Sequence, residues 1–266
     1  MASRNAALVT AGSAGLGAAI ARLLAFELGM SVTVNYSRDA ARAEALVKEL
    51  RDAWVPRRSD DSGLHPPSFH AIQADLSQKT EVIRLVDEAA AASGNRLDVI
   101  ISNVGWTRMR NFSDLDDGVD EDDWDRCFSV NVKSHLWLFH AARKWLEESN
   151  AREEGAAVFV STASIAGCKP SGSSLPYAVT KAAQIHLVKS LAVIAAPTIR
   201  VNCVSPGILL TDWGLSFPPE RLEAVKEQNK LKRFAAVDDV AQQVKTFVTS
   251  RTVTGQNAII DAGFSL

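Results

Sequence analysis

The chain has 266 residues, 47% of them hydrophobic, with 29 Lys plus Arg against 31 Asp plus Glu for a formal charge of -2. This near-neutral balance leaves no electrostatic footprint for a nucleic acid or other polyanion. Cys127, Cys168 and Cys203 lie far apart without a Cys-x-x-Cys spacing, so neither a disulfide framework nor a zinc site is expected.

Residues 6–10 form a short apolar run that ends in Gly12, Gly15 and Gly17, and Leu16 to Leu28 then carry Ile20, Leu23, Leu24 and Leu28 at helical spacing. Strand, glycine turn and helix in this order suit a pyrophosphate: glycine lets the backbone approach, and the helix aims its free amides at the phosphates. The glycine spacing of three then two differs from the two-then-three of the common dinucleotide fingerprint. With a strand starting so close to Met1, no room is left for a leader peptide. No apolar run approaches a membrane span, and the terminal Phe264-Ser265-Leu266 is not a peroxisomal address. A soluble cytoplasmic protein is expected.

Further strands are predicted at 31–35, 69–73, 99–102, 156–161, 200–204 and 257–260, with helices between them. The longest helical stretch, 121–150, is expected in two pieces that break near Asn131. This alternation predicts an α/β fold: one Rossmann-type domain over 1–266, a doubly wound parallel sheet of about seven strands with helices on both faces. The second strand ends Asn35-Tyr36-Ser37-Arg38, without the acid that would hold the ribose hydroxyl of NAD. Ser37 and Arg38 offer instead a hydroxyl and a guanidinium to a 2′-phosphate, which favours NADP(H). The plainer alternative is that Ser37 or Asp39 caps the next helix. Residues 56–67 hold three prolines among charged and small residues and are expected as an exposed insertion loop.

Eight acids between Asp114 and Asp125 have their glycine at the wrong spacing for a calcium loop and no terminal glutamate, so they are expected around a helix start. His135 and His140 are five apart, off a common helical face, and no metal is expected. Tyr177 and Lys181 are four apart and share a face, where the ammonium can favour the ionised phenol. Ser164, thirteen positions before the tyrosine, can give a second hydrogen bond to the same substrate oxygen.

Five motifs in this order resemble those of the short-chain dehydrogenase/reductase family, over essentially the whole chain. They are the turn from Thr10 to Gly17, with Ala11 where glycine is usual; Asp75-Leu76; Ser102-Asn103-Val104-Gly105, where Asn-Asn-Ala-Gly is typical; Asn131, Ser164, Tyr177 and Lys181; and Asn202 to Gly207 with Thr211. The resemblance implies a catalytic tetrad of Asn131, Ser164, Tyr177 and Lys181. Tyr177 would donate a proton to a carbonyl oxygen held by Ser164, Lys181 would lower the tyrosine pKa and bind the ribose, and Asn131 would keep a relay water. It also implies cofactor contacts from Gly12, Ser13, Gly15, Leu16 and Gly17, from Asn35, Tyr36, Ser37 and Arg38, from Asp75 and Leu76, from Asn103, Val104 and Gly105, and from Pro206, Gly207, Ile208 and Thr211.

Family loops point to Trp106, Ile165, Leu209 and Trp213 as substrate contacts, joined by Met109, Phe112, Lys169 and Phe217. Their aromatic character implies a hydrophobic or cyclic ketone. Trp213 and Phe217 could equally pack a lid, expected over 208–233. The expected activity is NADPH-dependent carbonyl reduction. An oxidative NAD(P)-dependent alcohol or sugar dehydrogenase and a non-redox nucleotide-binding relative remain alternatives. A small-molecule carbonyl or alcohol is the expected partner. Leu136, Trp137, Phe139 and Trp145, with Ala182, Ala183, Leu187 and Leu191, suggest a homotetramer, with a dimer as fallback.

Overall fold

The computed structural model describes residues 4–55 and 65–266. Of the expected insertion, 56–64 lie outside the described residues, and 65–67 lead directly into the third strand.

Seven strands form one parallel sheet: β1 (Ala6–Val9), β2 (Ser31–Tyr36), β3 (Phe69–Gln73), β4 (Val99–Ser102), β5 (Val158–Thr162), β6 (Arg200–Pro206) and β7 (Asn257–Ile260), in the order β3-β2-β1-β4-β5-β6-β7. The predicted strands all appear, with ends shifted by at most two residues. Their Val, Ile and Leu runs are buried on both faces, as a covered parallel sheet requires. Helices α1 (Gly15–Leu28), α2 (Ala40–Ala53) and α8 (Val237–Thr249) bury Ile20, Leu24, Leu46, Val244 and Phe247 on one face. Helices α3 (Lys79–Ala92), α5 (Ser134–Arg152) and α6 (Leu175–Ala195) bury Leu85, Leu138, Phe139 and Val188 on the other. The strand order reverses beside β1, which pairs with both β2 and β4. That reversal opens a crevice at the carboxyl ends of the strands.

The expected break near Asn131 is a wide turn instead. Between α4 (Glu121–Phe128) and α5, residues Ser129–Lys133 form one π-helical segment, so the helix continues with its face rotated. The acidic cluster does more than flank a helix. Asp120 caps α4 by accepting from Asp123 N at 3.1 Å, while the Arg110 guanidinium holds Asp117, Asp120 and Asp123 at 3.2, 3.0 and 2.9 Å. Asp123 is buried, and Arg108 reaches its other oxygen at 2.9 Å.

Contrary to the expectation that no run approaches a membrane span, α6 is long and apolar enough to cross one. Its apolarity has a different cause: Ile185, Val188, Leu191 and Ala192 are buried against the sheet. The same packing claims Phe139 and Leu191, two of the expected interface residues. Leu136 stays exposed on α5, as do Val179, Val193 and Ile194 on α6.

Candidate active site

The glycine turn is built around a strained residue. Ala11 has φ 46°, and Gly15 has φ 49°. Asn35 holds the turn closed: its Oδ1 accepts from Ala11 N at 3.2 Å, its backbone oxygen accepts from Gly12 N at 2.8 Å, and its Nδ2 donates to Ile72 O and Ala74 O. A left-handed alanine costs about 1–2 kcal/mol that glycine avoids, partly offset by the greater freedom of glycine in the unfolded chain. Ala11→Gly is therefore expected to stabilise the protein by about 0.5–1 kcal/mol in urea unfolding. A net loss of stability would show that the turn does not strain Ala11.

Helix α1 starts at Gly15 behind Ala14, and no side chain caps its first amides. Its uncapped N-terminus faces the crevice and fits a phosphate group. Gly12 and Gly17 sit behind this surface: a Cβ on Gly17 would stand 2.3 Å from Ala11 O, and one on Gly12 2.7 Å from Val9 O. Ser13 is partly buried in the same turn. Thr10 Oγ1 accepts from Asn103 N at 2.9 Å and from Val104 N at 3.2 Å, which binds the loop after β4 to the end of β1.

The crevice is a cavity of about 830 Å³. Gly15, Leu16, Asn103 and Gly105 line it on the α1 side, and Pro206, Gly207, Ile208 and Thr211 line it beyond β6. Ser164, Tyr177 and Lys181 line its centre. Tyr36, Ser37 and Arg38 stand outside this wall, with Ser37 and Arg38 exposed at the tip of β2. Asp39 caps α2 through Arg42 N at 2.9 Å. Asp75 is exposed and accepts from Ser77 N at 3.0 Å, while Leu76 is buried in the core.

The tetrad residues converge from three elements. Ser164 follows β5 and caps a short 3₁₀ turn, Ile165–Gly167. That turn seats against α6 because Gly167 has no side chain: a Cβ there would lie 2.6 Å from the Lys181 carbonyl carbon. Tyr177 and Lys181 stand in the first turns of α6, which Ser174 caps by accepting from Tyr177 N at 3.3 Å. Asn131 is fully buried in the π-helical segment; its Oδ1 accepts from Trp106 N at 2.8 Å, and its Nδ2 donates to Trp106 O at 2.9 Å and Thr180 Oγ1 at 3.0 Å. The Asn131 side chain thus clamps the loop after β4.

The electrostatics differ from the sequence expectation in one respect. Burial pushes the Tyr177 phenol up to about 12, with a hydrogen bond from Ser164 acting the other way. Lys181 is itself held down to about 7 by burial. Its Nζ donates to Thr162 O at 3.0 Å and Gln184 Oε1 at 2.8 Å, and lies 5.6 Å from the tyrosine ring centroid. The resting phenol is therefore firmly protonated, the state a proton donor needs. Gln184 is a residue that sequence reasoning passed over. Its one signal is a polar side chain at the turn after Lys181, on the buried face of an apolar helix.

At the substrate end, Ile165, Leu209, Trp213 and Phe217 line the cavity, and Trp213 lies 6.0 Å from the Tyr177 ring. Trp106 does not line it: its ring packs under the Arg126 and Arg108 guanidinium groups at 4.8 and 6.0 Å. Met109 and Phe112 are also absent from the wall. Lys169 turns to Phe264, donating to its carbonyl at 2.9 Å. Arg221, on α7 (Pro219–Gln228), reaches the cavity, stacks over Phe217 at 4.9 Å and donates to Gly172 O at 2.5 Å.

Known proteins resemble this chain in sequence and fold. A granaticin polyketide synthase protein of Streptomyces violaceoruber, assigned as ketoacyl reductase 2, is 34% identical over 98% of this chain and 96% of its own length. The 3-oxoacyl-[acyl-carrier-protein] reductase FabG of Staphylococcus aureus is 32% identical over 97% of each. A short chain dehydrogenase from Burkholderia cenocepacia, solved in complex with NADP, superposes with a TM-score of 0.82 at 31% identity, covering 99% of this chain and 98% of that one. The family model for short chain dehydrogenases matches residues 5–221, and with the fold and the Tyr177–Lys181 site in place, the chain belongs to the short-chain dehydrogenase/reductase family of oxidoreductases.

Proposed function

We propose that the protein is an NADPH-dependent carbonyl reductase that converts a hydrophobic or cyclic ketone to its alcohol. The observation that carries this reading is the protonated Tyr177 phenol beside Ser164 in a cleft whose far wall is Ile165, Leu209, Trp213 and Phe217. When bound, the dinucleotide supplies the hydride. The uncapped start of α1 holds its pyrophosphate, with Gly15, Leu16 and Thr211 alongside, and Lys181 binds the ribose. Ser164 holds the carbonyl oxygen, Tyr177 delivers its hydroxyl proton to that oxygen, and Asn131 fixes the loop that carries Gly105.

Ser37 and Arg38 take the 2′-phosphate, since both are exposed at the tip of β2 and Arg38 makes no hydrogen bond or ion pair among the described residues. Arg42 is less available, being held by Asp39 at 3.2 Å and Asp212 at 2.9 Å. Arg38→Asp is expected to lower the NADPH-to-NADH ratio of kcat/KM by about tenfold or more, through loss of a charge-assisted contact and addition of a repulsive one. A ratio that stays unchanged assigns the phosphate to other residues.

The ketoacyl reductases among the relatives support a ketone substrate. An NADPH-oxidation screen across ketoacyl thioesters, quinones, tetralones and steroids tests the reading. Turnover of a cyclic or extended apolar ketone is expected, and exclusive oxidation of alcohols or sugars overturns it. The burial of α6 against the sheet supports a cytoplasmic setting. Exposed Leu136, Val179, Val193 and Ile194 on α5 and α6 support a homo-oligomer, a tetramer by the family's habit.

A further inference from the structure

Behind the tetrad lies a buried polar group that its chemistry does not use. Gln184, Ser161 and Ser102 are 0% exposed, and His135 is 1% exposed. They occupy the space between α5, α6 and the ends of β4 and β5, where Lys181 enters from the cleft. Buried polar groups in such a place require complete hydrogen bonding, because each unmet one costs about 1–3 kcal/mol.

The following assignment of protons satisfies the network. Lys181 Nζ can only donate, so Gln184 presents its Oε1 to it, at 2.8 Å. The Gln184 amide nitrogen then donates to Ser161 Oγ at 2.7 Å and to Thr162 O at 3.1 Å. Ser161, having accepted, gives its own proton to His135 Nδ1 at 3.1 Å, and Ser102 Oγ lies 2.6 Å from the same ring nitrogen. The Val104 backbone is the ring's other hydrogen-bonding neighbour and favours a proton on it. Gln184 Nε2 is 3.4 and 3.2 Å from the two ring nitrogens, so it lies across the ring rather than in line with either lone pair. With Nδ1 accepting from serine, we assign the proton of the neutral ring to Nε2. Burial and the nearby Lys181 charge agree, holding its pKa down to about 3.

We propose that Gln184, held by Thr162 and by a Ser161 that His135 backs, is a positioning residue for Lys181. It fixes the direction of the ammonium and favours its charged form. Two of the three N–H bonds of Lys181 are engaged inward by Gln184 and Thr162, which leaves the third for the cleft, on the side of Gly105. The chain from Lys181 through Gln184, Ser161 and His135 also reaches the Val104 backbone, in the loop that Asn131 clamps two residues further on. The lysine and that loop are thus set by one network.

The inference rests on the oxidoreductase reading only through the role of Lys181, and its test needs no turnover. Lysine-selective 13C NMR on the cofactor-free protein follows the titration of Lys181 in wild type, Gln184→Met and Gln184→Glu. Methionine keeps the length but removes the acceptor; glutamate replaces it with a charge. The lysine is expected to titrate lower by about one unit in Gln184→Met and higher by about one to three in Gln184→Glu. A purely structural glutamine would not shift the lysine in opposite directions, so equal or absent shifts overturn the proposal. Long-range 15N spectra supply a second arm within the wild type. His135 is expected to show the Nε2–H form and no titration between about pH 5 and 8, and a ring that protonates in that range refutes the arrangement. If both arms hold while no ketone is reduced, the positioning role stands and the substrate reading fails.

Discussion

Tyr177→Phe is expected to lower kcat for ketone reduction by about 10²- to 10⁴-fold, the usual contribution of a positioned general acid, while NADPH binding is retained. The ring keeps its place: it packs beside Trp213 and against Gly172, where a Cβ would come within 3.5 Å of Tyr177 Cδ1. Only the hydroxyl is removed, together with the proton it gives. Because burial holds the phenol near 12, wild-type reduction is expected to be flat with pH through neutrality as far as the tyrosine is concerned. The reverse reaction, which needs the phenolate as base, should climb steeply on the alkaline side. NADPH fluorescence titration separates binding from chemistry. A variant with full kcat in ketone-dependent NADPH oxidation would remove Tyr177 from the proton step. The loss should also exceed that of Ser164→Ala, since serine contributes a hydrogen bond to the same oxygen but no proton.

How far the sequence reveals this site depends on whether a signal is local. The strands declare themselves by β-branched runs bounded by turns, and their burial on both faces follows from the parallel topology. Tyr177 and Lys181 are read from a spacing of four on one helix, and the turn before α1 from its glycines. The departures concern contacts between distant segments. His135 and Gln184 are 49 residues apart and meet only because α5 lies over β4 and β5 and α6 over the neighbouring β6. In the sequence His135 reads as a metal question, and its real partners are hydroxyls and an amide. Arg110 likewise lies in a tract that reads as a substrate loop, yet folds back onto Asp117, Asp120 and Asp123. Ala11 is a departure of another kind. It looks like a harmless replacement of glycine until its positive φ is known, because backbone strain leaves no mark on composition or periodicity. Trp106 misled by its chemistry: an aromatic after β4 suggests a substrate wall, but its backbone serves Asn131 and its ring serves two arginines.

Lys181→Met should separate function from stability, because the lysine is placed where its charge is unfavourable. Its pKa is depressed to about 7 in the folded protein, against 10.5 ordinarily. Between those values the unfolded chain binds a proton that the native state does not, so the lysine makes wild-type stability rise with pH across this window, by up to about 1.4 kcal/mol per pH unit. Below about pH 7 both states are protonated, and the full cost of the buried charge is felt. Methionine fills the same volume without a charge. It also leaves Gln184 Oε1 and Thr162 O without their donor, a loss of about 1–3 kcal/mol each that does not vary with pH. The sign at any one pH thus depends on two opposing effects, but the pH dependence does not. The stability of Lys181→Met relative to wild type should be most favourable below about pH 7 and decline steadily towards 10.5. Tyr177, Cys127 and Cys203 are all pushed up by burial and lower stability at alkaline pH. Cys127 and Cys203 also feel the Lys181 charge, so the difference reports Lys181 between about pH 7 and 9, below the range in which the thiols ionise. Urea unfolding at several pH values across the window measures that difference, and a difference independent of pH would show that Lys181 titrates normally. Carbonyl reduction should meanwhile fall by about 10²-fold or more, since the ribose contact and the charge beside the phenol are both gone. A residue whose removal is tolerated best at low pH and slows the reaction at every pH is held in place for chemistry.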